Sequence, residues 1–439
     1  MSHQKERMFC EEGLTRAFCL KGDLMQGLAR VTVREINNKK VEFPLQWFTW
    51  YTGKPKPWIF TDCEGIFVNA YNLFFEQTNA KKKEILEKGL HSYLQVSEEK
   101  PIFIDSGGFQ CLRRGIQPDL KRILEFQLAS KADLIAVVDF PFSPKASMQE
   151  KLLKMEQTLR SIEFYAKFSS EYRLPTVIVP VVHAHEEKLL EKMVSAIALL
   201  EKKYDVDFPV YALGSMVYMV SATITASFAR YYRLIDLVLA AKKLLPDKII
   251  HVFGVGSPNV MYLLMYLGVD SIETFGWAGH GIHYSTYIAG EGTKALADRK
   301  RSLDSEFEWE KYACQCVVCT GRCPVLNGKC AAYEEKCIAI PLTAEIKEKY
   351  EKWKATCDTV AHKEWVEELR EKVLYAKGGW TPRACHNACV YSSEMKLAKN
   401  ALKKGEFELF IESSLSNALF RKARVIDYAK KRIQEMGLY

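Results

Sequence analysis

The chain has no run of about 18 consecutive apolar residues, so no membrane-spanning helix is expected. Its opening stretch, MSHQKERMFC, has no apolar core, which argues against a secretory signal. A soluble cytoplasmic protein is therefore expected. Low-complexity tracts and convincing internal repeats are also lacking, which sets aside solenoids and propellers. No strand candidate is followed by a GxGxxG turn. The nearest approach, GVGSP at 254–258, is a glycine pair interrupted by proline, so a dinucleotide-binding sheet has little support.

What is present is ordinary globular composition over 439 residues, 48% hydrophobic and 26% charged, enough to bury a large core. The formal charge is +8. Basic clusters lie at Lys81-Lys82-Lys83 and Arg299-Lys300-Arg301, with more in KLAKNALKKG and RKARVIDYAKKR near the end. Each alone reads as a solvated helix face. Together they point to a polyanionic partner, because phosphate neutralisation is the main sequence-independent source of nucleic-acid affinity. The 13 cysteines are uneven: four precede residue 112 and nine lie between Cys314 and Cys389. Without a secretory signal, such a cluster suggests metal before disulfides.

Eight strand candidates recur through the first 275 residues. They are FPLQWFTW (43–50), GIFVNAY (65–71), PIFIDSGG (101–108), DLIAVVDF (133–140), TVIVPVVHAH (176–185), FPVYALGS (208–215), KIIHVFGVG (248–256) and VDSIETFGW (269–277). Amphipathic stretches such as QEKLLKMEQTLRSIEFYAKF separate most of them. Short apolar strands alternating with helices imply parallel pairing, and eight of them point to an α/β fold, a (β/α)8 TIM barrel. The expected organisation is an N-terminal β-hairpin segment over 1–42, with Asn37-Asn38 near its turn, then the barrel over 43–301. A cysteine-rich zinc subdomain with an insertion follows over 302–395, and a helical tail completing the barrel over 396–439.

Barrels of this type build their sites where the strands run out at their carboxyl ends. Asp105, Asp139, His183 and His185, Asp270 and Glu273 all lie near such ends. A helix cap or a structural ion pair is the plain alternative for any one of them, but convergence from several strands favours a shared site. After Asp105 come Ser106, Gly107, Gly108, Phe109 and Gln110. The glycines leave backbone N–H groups uncovered for a flat ligand, and Phe109 and Gln110 offer an aromatic face and an amide. The arrangement suits a nucleobase or similar heterocycle.

Several stretches together resemble the tRNA-guanine transglycosylases. DSGGFQ (105–110) looks like their signature. VNAYNLFF (68–75) is similar to an NTYHL-type motif, with Asn69, Tyr71 and Leu73 matching. DLIAVVDFPFSP resembles the segment whose aspartate reads the base, YALGSM loosely resembles a GGL-type loop, and FGVGSPNVMYLLMYLGVDSIET resembles the helix and strand that carry the nucleophile. CQCVVC (314–319) matches CxCxxC, and the stretch from His386-Asn387 resembles the closing HN helix. The resemblance spans most of residues 25–415. It implies exchange of guanine for a 7-deazaguanine through a covalent glycosyl-enzyme. One carboxylate attacks the anomeric carbon and a second carboxyl group moves the proton.

On that resemblance Asp105 is the acid/base. Glu273 takes the nucleophile's place, where the family usually has aspartate. The extra methylene asks the backbone to retreat by roughly 1.5 Å, and a misplacement of about 1 Å can cost around a hundredfold in rate. Asp270 is therefore kept as the alternative nucleophile, and a non-catalytic nucleic-acid-binding subunit as a third reading. Asp139 is expected to accept from the donor edge of guanine. His183 falls near the family's base-reading glutamine, while Leu213 and Gly214 are expected to offer backbone contacts.

Cys314, Cys316 and Cys319 have spacing that folds around one Zn²⁺. The resemblance gives His386 as the fourth ligand, with His362 as competitor, and makes the zinc structural. The segment 320–380 reads as an insertion. The stretch TFGWAGHGIHYS stands where tRNA enzymes of the family carry a proline and paired arginines, and no RNA-binding domain is seen after the last helix. Both features resemble the DNA-guanine transglycosylases. DNA is thus the expected substrate and tRNA the alternative, with a preQ0-type 7-deazaguanine as the incoming base. Expected partners also include a protein that opens DNA, since the target base must leave the stack, and a second copy of the chain. Trp277, His280 and His283 are placed as candidates to line the nucleic-acid channel.

Overall fold

The computed structural model describes residues 27–217, 229–283, 285–289, 292–295, 316, 381–414 and 424–438. The chain enters through an antiparallel hairpin of β1 (Thr32–Ile36) and β2 (Lys39–Phe43). Asn37 and Asn38 both have positive φ, +49° and +63°. Asparagine tolerates that region, and the paired left-handed conformation suits a two-residue turn whose twist matches the flanking strands.

The barrel strands follow. They are β3 (Leu45–Trp50), β4 (Gly65–Asn69), β5 (Ile102–Asp105), β6 (Leu134–Ala136), β7 (Val177–Val179), β8 (Val181–His183), β9 (Val210–Gly214), β10 (Ile249–Val252) and β11 (Ser271–Thr274). They form one sheet ordered β7-β6-β5-β4-β3-β11-β10-β9-β8, parallel throughout. The terminal members, β7 and β8, are consecutive in the chain on either side of Pro180, which lacks the N–H a continuous ladder needs. They act as one staggered strand, so the ring closes as an eight-stranded barrel. Every strand expected from the sequence is present. Nearly all barrel-strand residues are buried, as a parallel sheet covered on both faces requires.

The interior is filled by aromatics from β3, β4, β5 and the β10 end. Phe103 meets Trp47 edge-on at 5.6 Å and Phe67 at 5.1 Å, and His251 lies 5.1 Å from Phe103 and 4.5 Å from Phe253. This plug supports the site above it. The two ends of the barrel use carboxylates differently. At the amino ends, Asp133 accepts from Ile102 N at 2.8 Å and pairs with Lys39 at 2.7 Å, tying the hairpin to the barrel. Asp270 likewise accepts from Ile250 N at 3.0 Å and faces Lys242 at 3.4 Å.

The helix Thr381–Lys404 closes one side. It runs across the expected boundary at 395/396. Asn387 accepts from Tyr287 N at 2.7 Å and donates to the carbonyls of Trp277 and Ser285, both at 3.2 Å. Lys399 pairs with Glu64 and Glu42. Most of the expected zinc subdomain lies outside the described residues. Among the described residues no helix is long and apolar enough to cross a membrane.

Candidate active site

A cavity of about 490 Å³ opens at the carboxyl ends of the strands, within the usual range for a small-ligand site. Asp105 and Glu273, from β5 and β11, both line it. Asn69, Asp139, His183, Gly214, Phe109 and Gln110 line it as well.

Asn69 ends β4 and caps the helix Ala70–Phe74 through its Oδ1, which accepts from Asn72 N at 3.3 Å. Its Nδ2 is thereby free to donate to Asp105 Oδ2, at 2.6 Å. The Asp105 carboxyl is pushed up to about 8. Burial is the chief cause, and the charges of Asp139 and Glu273 add to it against the backbone N–H groups of Gly107 and Ser106. It therefore holds a proton through neutral pH.

Glu273 sits in a different setting. Thr49 Oγ1, on the neighbouring strand β3, donates to Oε2 at 2.5 Å, and Gly254 N donates to Oε1 at 2.6 Å. Burial raises its pKa and these two donors oppose the rise. Burial thus raises both carboxyl groups of the cavity; the charges of Asp139 and Glu273 raise Asp105 in addition, while each oxygen of Glu273 is bonded to a donor.

The position expected to read the base holds Asp139. Its Oδ2 lies 2.9 Å from His183 Nε2 and its Oδ1 3.4 Å from Ser106 Oγ, and His183 Nδ1 lies 3.0 Å from Ser215 Oγ. With Asp139 accepting, His183 donates from Nε2, and its Nδ1 then accepts from the Ser215 hydroxyl. His183 thus holds the aspartate as well as facing the cavity.

Four expectations are corrected. Asp270 lies at the amino end of its strand, bonded to Ile250 N and Lys242, and is not among the cavity-lining residues. Period two along the strand also sets it on the opposite face from Glu273. Gly107 and Gly108 do not clear space for a ligand. A Cβ at Gly107, whose φ is +78°, would lie 2.4 Å from Tyr71 Cβ, and one at Gly108 would lie 2.4 Å from Asp139 O. They let the helix Gly108–Arg113 press against the strand ends that carry the site. Trp277 is fully buried and faces no channel, although its neighbours Phe275, Gly276 and Gly279 do line the cavity. Tyr71 and Leu213 are buried behind the wall rather than in it.

Sequence reasoning passed over Thr49, Tyr51, Phe67, Ser215 and Phe253 as lining residues. Thr49 alternates inward from Trp50 on β3, so period two was an available signal. Nothing in the sequence marked its pairing with Glu273.

Of the four expected zinc ligands, Cys316 and His386 are described, with Sγ 3.5 Å from Nδ1. His386 Nε2 donates to Tyr287 O at 2.9 Å, which leaves Nδ1 as the lone-pair nitrogen toward the thiol. Cys314 and Cys319, like His362, lie outside the described residues.

The fold and site define a TIM barrel that sets two unlike carboxyl groups in one heterocycle-sized mouth. The chain belongs to the family described as queuine tRNA-ribosyltransferase, whose model matches residues 26–324. It is similar to the tRNA-guanine(15) transglycosylase of Pyrococcus furiosus, 26% identical over 387 residues, 86% of this chain and 53% of that one. The enzyme of that name from Methanococcus aeolicus is 28% identical over 257 residues, 58% and 36% of the two chains. That from Methanosarcina barkeri is 30% identical over 232 residues, 52% and 44%. The chain spans about a third to a half of the length of these relatives.

Proposed function

We propose that the protein is a base-exchange transglycosylase that replaces a guanine in tRNA by a 7-deazaguanine. The observation that carries this reading is the presence in one cavity of two carboxyl groups from separate strands, Asp105 held by Asn69 and Glu273 held by Thr49 and Gly254. Glu273 attacks C1′ of the target nucleotide as the glycosidic bond breaks. The proton of Asp105 passes to the departing guanine, and a glycosyl ester on Glu273 remains. Asp105, now a carboxylate, takes a proton from the incoming base. That base attacks C1′ and releases Glu273. Atoms and charge balance without an added reductant or nucleotide. Asp139, anchored by His183, accepts from the donor edge of the purine, and Phe109 offers a face to its ring.

The relatives' names support tRNA as the polynucleotide in place of the DNA expected from the sequence. One observation keeps DNA as a second reading: 274–285 contains no Arg or Lys beside the cavity. Exchange of radiolabelled guanine into tRNA and into duplex and single-stranded DNA decides between them. Trapping the covalent adduct tests the chemistry. Glu273→Gln is expected to abolish the adduct and Asp270→Asn to keep it. The reverse pattern overturns the assignment.

The zinc reading fits the residues present. A tetrahedral zinc with sulfur at about 2.3 Å and nitrogen at about 2.0 Å sets those two atoms about 3.5 Å apart, the spacing found between Cys316 and His386. Cys316 and His386 would hold the ion together with Cys314 and Cys319. Four protein ligands leave no open position, so the metal would fix the end of the helix Thr381–Lys404 and take no part in the exchange.

A further inference from the structure

Beside the cavity, on the side of the helix Gly108–Arg113, runs a strip of aromatics and cations that, beyond Phe109, the proposed chemistry does not use. It begins at Phe109, which lines the cavity yet is 40% exposed. The Arg113 guanidinium lies 6.0 Å from its ring. Arg114 lies 5.0 Å from the Tyr71 ring, which stacks on Phe75 at 5.1 Å, and Phe75 is 37% exposed. Phe74 meets Phe75 edge-on at 5.0 Å and carries Lys82 at 5.6 Å and Arg122 at 5.4 Å.

The charge on this strip is uneven in a useful way. Arg114 is engaged by Glu76 at 2.7 Å and by the Tyr71 hydroxyl at 2.9 Å. Arg113, Lys82 and Arg122 have no acidic partner among the described residues. Three cations without counter-charge beside two exposed rings match what a single strand offers: phosphates and bases with flat faces. The three cations come from three different helices, Asn79–Lys88, Gly108–Arg113 and Leu120–Ala129. One solvated helix face does not explain them. The stretch after the nucleophile, at the opposite wall, has no cation to offer.

Resting on the transglycosylase reading above, we infer that this strip is the track for the single-stranded RNA flanking the target guanine. Arg113, Lys82 and Arg122 neutralise phosphates, and Phe75 takes an unstacked base. The target base turns into the cavity from the end marked by Phe109.

The test is binding of a short, labelled single-stranded RNA containing one guanine, followed by fluorescence anisotropy across a salt series. Arg113→Ala/Lys82→Ala/Arg122→Ala is expected to weaken binding on the order of tenfold or more. It should also flatten the slope of log affinity against log salt by about 2, at roughly 0.7 per lost phosphate contact. Phe75→Ala is expected to weaken binding while leaving that slope unchanged. These side chains are at the surface, and the single variant Arg122→Gln with an unaltered melting temperature guards against misfolding. An unchanged affinity and slope in the triple variant overturns the track. Loss confined to single-stranded DNA overturns RNA as its occupant. If the track binds as described but the wild type forms no adduct, the transglycosylase reading falls instead.

Discussion

Replacing Thr49 by valine isolates one interaction of Glu273, the proposed nucleophile. Valine has nearly the shape of threonine, so packing in β3, where Thr49 is buried, is kept. What is lost is the 2.5 Å donation to Glu273 Oε2. A hydrogen bond to a charged group contributes roughly 1.5–3 kcal/mol, and each 1.36 kcal/mol is tenfold in rate. Adduct formation near neutral pH is therefore expected to slow by about 10- to 100-fold. The sign of the pH effect follows from the cause. Attack needs Glu273 as a carboxylate, burial already raises its pKa, and Thr49 opposes that rise. Removing the Thr49 hydroxyl moves the acid limb of the single-turnover profile to higher pH. The basic limb, set by Asp105 at about 8, stays where it is, so the active window narrows from the acid side. KM for the polynucleotide is expected to hold, and Thr49→Ser to restore the rate. A Thr49→Val protein with wild-type adduct kinetics and an unmoved acid limb would refute the idea that Thr49 tunes the nucleophile.

Three further outcomes are expected. Asp105 titrates at about 8 when folded and near 3.9 in an unfolded chain. The native state therefore holds the extra proton between these values, and its contribution to stability is greatest below about pH 4 and falls as pH rises to about 8. Asp105→Asn should flatten that part of a melting-temperature profile and abolish exchange; an unchanged profile counts against the raised pKa. Gly108→Ala, which drives a methyl to 2.4 Å from Asp139 O, is expected to destabilise the fold by about 1–3 kcal/mol and to weaken base binding, as read by denaturant melts and calorimetry. Metal analysis should find one zinc per chain, lost in His386→Ala with exposure of the helix Thr381–Lys404 to proteolysis; a metal-free wild type that melts normally removes the zinc reading.

The barrel was legible because its signal is repeated. Eight apolar segments each end near glycine or polar residues, and each became a strand, with Pro180 splitting one of them. Asp105 and Glu273 were legible for the same reason, since strand ends locate themselves. Asp270 was the ambiguity that sequence spacing leaves. A carboxylate three residues before another is equally near the strand end on paper, and only the ladder register shows it bonded to Ile250 N at the far rim. The glycine pair of DSGGFQ was read toward a ligand, yet its neighbours are Tyr71 and Asp139, which are distant in sequence. A glycine announces close approach without saying of what. The Thr49–Glu273 bond, 224 residues apart, had no local signal at all.

The glutamate at 273 and the interrupted turn GVGSP, two features that looked anomalous in the sequence, explain each other. Gly254, with φ +77°, directs its N–H at Glu273 Oε1. Two residues on, a Cβ at Gly256 would lie 2.7 Å from Glu273 O and 2.6 Å from Thr274 Cβ, so this turn is seated directly on the nucleophile's backbone. One glycine supplies a donor to the carboxylate and the other allows the loop to come close enough for it to do so. A longer side chain than aspartate has more rotamers to lose and needs more restraint to present one oxygen to C1′. The turn restrains one oxygen and Thr49, from the strand on the other side, restrains the second. On this reading the extra methylene is matched by the two-sided clamp, and Glu273→Asp, drawn back from both donors, should be slower than wild type although it restores the residue usual in the family. Faster adduct formation by that variant would mean the clamp is incidental.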